Sequence, residues 1–101
     1  MTDRELLEAA ARASGVGHTS FIGGAEHYSV PAEWDPLTDD GDALRLAVKL
    51  CMHVEVWPDI VSVTTTHRAT GDEDASEQAG SDLNAATRRA IVRVAAAMAV
   101  R

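Results

Sequence analysis

The chain has 101 residues, a hydrophobic fraction of 46% and a net charge of −7, which suits one domain with one core, residues 1–101. The single cysteine excludes an internal disulfide, and no apolar run resembles a signal peptide or reaches the roughly 20 residues of a membrane span. Acidity opposes direct binding to nucleic acid or anionic lipid, which needs clustered Lys and Arg. We expect a soluble, cytoplasmic domain.

The N-terminal segment predicts an amphipathic helix over residues 3 to 14. Thr2 and Glu5 have the spacing of a capping box, in which each side chain accepts a hydrogen bond from the other residue's backbone N–H. Ser14-Gly15 supplies the stop signal. Residues 15–33 are rich in glycine and contain two runs with strand character, His18 to Ile22 and Glu26 to Val30. Gly23-Gly24 between them is either a tight hairpin turn or a flexible loop.

The stretch Trp34 to Leu50 predicts a turn followed by the helix around which the rest of the chain is organised. Pro36 prevents a helix from running through this point, and aspartates at 39 and 40 can cap a helix that begins near Asp39. The polar positions of this helix fall on one narrow stripe. We therefore expect it to be covered on most sides, with Cys51 as a small core residue.

A β-hairpin is predicted after this helix, from the runs His53 to Trp57 and Ile60 to His67. If Trp57 and Ile60 pair across Pro58-Asp59, one face of the hairpin holds only valines, 54, 56, 61 and 63. Pro58 cannot adopt the positive φ that two-residue loops prefer, so a wider loop is the alternative. Trp57 is either an exposed anchor for a partner or a core side chain under the preceding helix.

The C-terminal third combines an acidic segment with a helix. The run from Ala69 to Asp82 almost lacks large apolar side chains, so we expect a mobile loop outside the core. Ser81 or Asp82 then caps a helix whose predicted buried stripe is Leu83, Ala86, Ala90, Ile91, Val94, Ala97 and Met98. Its arginines 88, 89 and 93 are expected to form a solvated face, to complement the helix dipole or to pair with the acidic segment.

Together these elements predict an α+β fold in which helices pack on a small antiparallel sheet, in the order helix, weak strand or strands, helix, β-hairpin, helix. Charge is uneven along the chain. Residues 26–82 contain thirteen Asp and Glu against three Lys and Arg, a net charge of −10. The middle of the chain is therefore the acidic part of the surface.

Three blocks of sequence resemble the short bacteriophage proteins of the phage α/β/α-sandwich domain family. They are the opening MTDRELLEAAARASG, the central WDPLTDDGDALRLAVKL and the closing AATRRAIVRVAAA, about half of the chain. The sequence departs from the family at Asp35, where Asn is expected, and in residues 15–33. The resemblance implies a phage or prophage origin and no catalytic residues.

The residues that could form catalytic or metal sites are each explained better by a structural role, such as helix capping or strand pairing. The cluster Asp39, Asp40 and Asp42, with Glu33 and Asp35 nearby, could bind a cation, but its spacing fails the EF-hand pattern and helix capping accounts for it. The sequence His53-Val54-Glu55 resembles a zinc-deaminase motif but lacks its Pro-Cys-x-x-Cys partner, so we expect a strand histidine opposite Thr64. No nucleophile and base form a recognisable set, and no cofactor is expected.

We therefore expect a small non-enzymatic phage accessory protein that binds a host or phage protein complex. Its contact residues are predicted to be Trp57, Asp72, Glu73, Asp74 and Glu77. A sharper form is an anti-CRISPR-like inhibitor of a bacterial defence complex, whose carboxylates imitate nucleic-acid phosphates. The alternatives are a structural or homodimeric module that pairs an exposed sheet edge or face, and a metal-dependent hydrolase that uses Asp39, Asp40 and Asp42.

Overall fold

The structure, a computed structural model, describes residues 1–67 and 71–99 and has the predicted α+β class, with three helices and two antiparallel sheets. The helices are α1 (Asp3–Ser14), α2 (Asp40–Lys49) and α3 (Leu83–Ala99). Strands β1 (His18–Ile22) and β2 (Ala25–Ser29) form one sheet. Strands β3 (His53–Val56), β4 (Ile60–His67) and β5 (Gly71–Gln78) form the other, in the order β3-β4-β5.

The helix starts follow the capping signals. The capping box between Thr2 and Glu5 is formed, and Gly15 ends α1 with a φ of 77°. Asp39 caps α2 by accepting the backbone N–H of Asp42 at 2.7 Å. The predicted cap of α3 is resolved in favour of Asp82, whose carboxylate accepts the N–H of Ala85 at 3.0 Å.

The enclosed helix is α3, and the prediction that α2 is covered on most sides is wrong. Helix α3 packs against α1, α2, β4 and β5. It buries three residues beyond the predicted stripe, Val92, Ala95 and Ala96, whereas Leu83 and Ala97 of that stripe are only half-buried. Helix α2 packs on α3 through one side and leaves Leu44 and Val48 65% and 69% exposed.

Cys51 also departs from its predicted place in the core. Helix α2 ends at Lys49, and Cys51 lies in the following turn with a φ of 54°. Because the chain has left the helix before this residue, the thiol no longer follows the buried stripe and is exposed.

The valine-faced hairpin of β3 and β4 is confirmed in its predicted register. Val54 lies opposite Val63, Val56 opposite Val61, and His53 opposite Thr64. The N–H of Trp57 donates to the carbonyl of Ile60 at 2.9 Å across Pro58-Asp59, so the narrow loop is the one adopted. Val61 and Val63 are fully buried under α3.

The prediction of an acidic mobile loop is wrong for residues 71–78, which form strand β5. Residues 69 and 70 of the predicted loop lie outside the described part. Residues 71–78 pair with β4, from Gly71 opposite His67 to Gln78 opposite Ile60. The small side chain of Ala75 enters the core opposite Val63, and Ala79 is also buried. Pairing satisfies the backbone groups of β4, and that gain does not require large apolar side chains.

The glycine-rich segment forms the β1–β2 hairpin. Gly23 and Gly24 both have positive φ, 60° and 82°, as a two-residue primed turn requires, which decides for the tight turn over the flexible loop. The Tyr28 hydroxyl contacts the carbonyls of Ala11 and Val16. This contact joins the base of the hairpin to the end of α1, while Phe21 beside its tip is 73% exposed.

The arginines of α3 connect it to three other elements. Arg88 donates to the carbonyl of Leu37 at 2.8 Å and pairs with Asp40 at 2.6 Å, which ties α3 to the start of α2. Arg89 pairs with Asp3 of α1 at 3.2 Å. Arg93 pairs with Glu77 of β5, so the predicted pairing with the acidic segment is confirmed for that residue.

The enclosure of α3 is tested by replacing small side chains of this helix with larger ones. Ala95 is fully buried, so Ala95→Leu should lower the free energy of unfolding by about 1–3 kcal/mol, as overpacking does in close-packed cores. The same change at half-buried Ala97 should cost under about 1 kcal/mol, as expected where a side chain can turn outward. Urea denaturation of both variants measures the difference; equal costs would contradict the enclosure.

Candidate protein-interaction surfaces

One face of the β3-β4-β5 sheet carries no helix. Helix α3 packs on the face that holds Val54, Val61, Val63 and Ala75. On the opposite face, which we call the outer face, strand alternation places a set of mostly polar residues that are exposed, apart from half-buried Ser62. They are His53, Glu55, Trp57, Ile60, Ser62, Thr64, Asp74, Ser76 and Gln78.

Trp57 lies at one corner of the outer face and is 57% exposed. This decides between its two predicted environments in favour of the exposed one. Ile60, directly across the loop, is 36% exposed, so the two side chains form an apolar corner on an otherwise polar face. Trp34, by contrast, is half-buried and packs against the core.

Beside Trp57 the outer face carries a hydrogen-bonded histidine and glutamate on a single strand. The Nε2 of His53 lies 2.9 Å from Oε1 of Glu55. Hydrogen bonds from His53 and from the Trp57 side chain hold the pKa of the Glu55 carboxyl below its ordinary value. Glu55 is therefore a carboxylate at neutral pH, immediately next to the exposed indole.

The structure divides the predicted contact residues between the two sides of the sheet. Asp74 is exposed on the outer face opposite Thr64, at the other end of the sheet from Trp57. Glu73 and Glu77 are half-buried on the helix side, where Glu77 also approaches Arg89 at 3.8 Å. The side chain of Asp72 lies outside the described part. Glu55 was missed, although its alternation with Trp57 along β3 could have found it.

The aspartate cluster is engaged by donors of the protein itself. Asp42 accepts the backbone N–H of Asp35 at 2.9 Å and pairs with Arg45 at 2.6 Å. Asp39 caps α2, and Asp40 pairs with Arg88. Among residues 1–67 and 71–99, no group of three or more His, Cys, Asp or Glu could hold a metal ion. This geometry gives no support to the hydrolase alternative.

A second surface, not predicted from the sequence, is an apolar groove of about 310 Å³ between α2, β3 and α3. Leu44 and Ala47 of α2 line it together with Val54 and Val56 of β3. Val56 is 50% exposed, although it belongs to the valine face. The groove lies where the sheet ends at β3, because α3 covers β4 and β5.

Comparison with protein-family models, with curated proteins and with solved structures found no match. The resemblance to the phage α/β/α-sandwich family therefore stays a prediction. Within the described residues no helix is long and apolar enough to cross a membrane.

The network around Asp42 predicts a pH dependence of stability. Asp42→Ala should lower the free energy of unfolding by about 1–2 kcal/mol at neutral pH, because a backbone N–H and Arg45 lose their acceptor. Hydrogen bonds from the Asp35 N–H and from Arg45 lower the pKa of Asp42 below its ordinary 3.8. Its contribution is therefore complete above the ordinary pKa and is lost as the pH falls through the folded-state pKa.

Urea denaturation of wild type and variant should thus show a stability difference that is constant near neutral pH and shrinks below the ordinary pKa. Exposed Glu33→Ala serves as the control and should be nearly neutral throughout. A difference that grows on acidification would contradict the assignment.

Proposed function

We propose that this chain is a small, non-enzymatic protein-binding module, an accessory protein of a bacteriophage or prophage, that contacts its partner through the outer face. The observation that carries this proposal is the 57% exposure of Trp57 beside Ile60 on a sheet face without a covering helix. The phage assignment rests on the sequence resemblance.

A tryptophan in this position is suited to anchor a protein interface. Hot spots are enriched in Trp and lie within a ring of weaker polar contacts that excludes water. Glu55 and Ser76 supply such neighbours on the same face. A folded protein gains nothing from exposing an indole to water, whereas burial against a partner removes a large apolar surface from solvent.

The charge of the outer face favours a basic partner. Glu55 and Asp74 are exposed, and the chain as a whole carries −7. An anti-CRISPR-like inhibitor that occupies a basic nucleic-acid channel is the sharper form of the proposal. Its support comes from this charge and from the phage resemblance. Glu77 contributes little to it, because its carboxylate is already paired with Arg93.

The anchor is tested by capture of a partner from bacterial lysate with a tagged chain, after nuclease treatment. Trp57→Ala should lose a specific protein partner, with affinity reduced roughly 30-fold or more as for hot-spot residues. Phe21→Ala is the matched control, since Phe21 is an aromatic residue on the β1–β2 hairpin that is even more exposed than Trp57. If Phe21→Ala abolishes capture and Trp57→Ala does not, the hairpin is the binding surface and the proposal is wrong.

The basic character of the partner is tested separately by neutralising charge. The double variant Glu55→Gln, Asp74→Asn should weaken binding and flatten its salt dependence, because rim charges act mainly through long-range attraction. The control neutralises two exposed carboxylates away from this face, Glu26→Gln with Glu33→Gln. Binding that is equally salt-dependent in both double variants would remove the outer-face carboxylates from the mechanism.

A further inference from the structure

We propose that a second copy of the chain pairs with the free edge of β3, in an antiparallel register centred on Val54. The two three-stranded sheets then form one six-stranded sheet, and the two α2 helices lie side by side over the junction. This inference goes beyond the proposed function, because it uses the sheet edge and the groove and, on the outer face, engages only the edge residues His53 and Glu55.

The backbone groups along the free edge of β3 are oriented for this pairing. Strand β3 is the edge of the sheet, and no described residue pairs with its far side. Trp57 donates to Ile60 of β4, so alternation points the backbone groups of Val54 and Val56 away from β4. The N–H and C=O of Val54 can therefore bond the same groups of Val54 in the second copy. The Val56 N–H can reach the carbonyl of Met52 in that copy.

The sequence of β3 is complementary to itself in this register. Residues that face each other across an antiparallel pair share one side of the sheet. Centring on Val54 places His53 opposite Glu55 of the second copy, twice, on the outer face. It places Met52 opposite Val56, also twice, on the apolar face. Centring on Glu55 instead would set the two Glu55 carboxylates against each other, which is unfavourable.

Helix α2 supplies the second layer of the contact. Leu44 and Val48 are one helical turn apart and are 65% and 69% exposed, and Leu44 lines the groove above Val54 and Val56. A two-fold axis brings the same patch from both copies together, as isologous dimers require. The contact would cover three of the chain's exposed aliphatic side chains, Leu44, Val48 and Val56.

The net charge predicts whether added salt strengthens or weakens the dimer. Each copy carries −7, so the copies repel each other through their overall charge, while the contact itself is mainly apolar. Added salt screens this repulsion and should strengthen the dimer. Binding of a basic partner to the outer face should weaken under the same conditions.

The dimer is tested by sedimentation and light scattering over a range of concentrations. Wild type should approach twice 10.7 kDa, more readily at high salt. Leu44→Lys should remain a folded monomer, because Leu44 is exposed in the single chain. Phe21→Lys, at another exposed apolar residue, should dimerise like wild type. A wild type that stays monomeric, or a dimer that survives Leu44→Lys and fails with Phe21→Lys, would overturn the proposal.

The register is tested by disulfide formation in the Cys51→Ser background. The backbone N–H and C=O groups of His53 and Glu55 point towards β4. Across the two edges, His53 of one copy and Glu55 of the other therefore form a close, non-hydrogen-bonded pair, which suits a disulfide. A mixture of His53→Cys and Glu55→Cys chains should cross-link as a heterodimer, and each chain alone should cross-link at least tenfold more slowly. Equal rates in the separate chains would overturn the register.

The dimer and the proposed function can fail separately. A monomer that captures a partner through Trp57 overturns the dimer alone, and a dimer that captures no partner overturns the proposed function alone.

Discussion

The close packing of α3 against four other elements is the constraint on which the rest of the structure depends. It is made possible by small residues, since Ala90 and Ala95 are fully buried and let neighbouring backbones approach. Because α1, α2 and the sheet all pack on this one helix, the apolar face of the sheet is directed towards α3. The side of the sheet away from α3 is left to solvent.

The ion pairs around α3 engage carboxylates of three other elements. Arg88, Arg89 and Arg93 bind acidic groups at the starts of α2 and α1 and on β5. Exposed pairs of this kind contribute little stability singly. Glu55 and Asp74 lie on the outer face, away from these arginines, and add negative charge to the face that carries Trp57.

The sequence predicted the local features and missed those that depend on neighbours. Caps at Thr2 and Asp39 and the valine register of β3 and β4 were correct, because each follows from side chains a few residues apart. Strand β5 was missed because its stabilisation comes from backbone pairing with β4, which an acidic composition conceals. Helix α2 was expected to be enclosed because most of its side chains are apolar. Its composition shows which side chains could be buried, but it does not show which elements pack beside the helix. The exposure of Trp57 was undecidable for the same reason.

The openness of the outer face is measured most directly by fluorescence of the single-tryptophan variant Trp34→Phe. Trp57 is then the sole indole, and it should emit like an indole in water and be strongly quenched by acrylamide. Trp57→Phe, which retains half-buried Trp34, provides the comparison and should be quenched less. A blue-shifted, protected emission from Trp57 would mean that the outer face is covered, which would contradict the surface from which function is inferred.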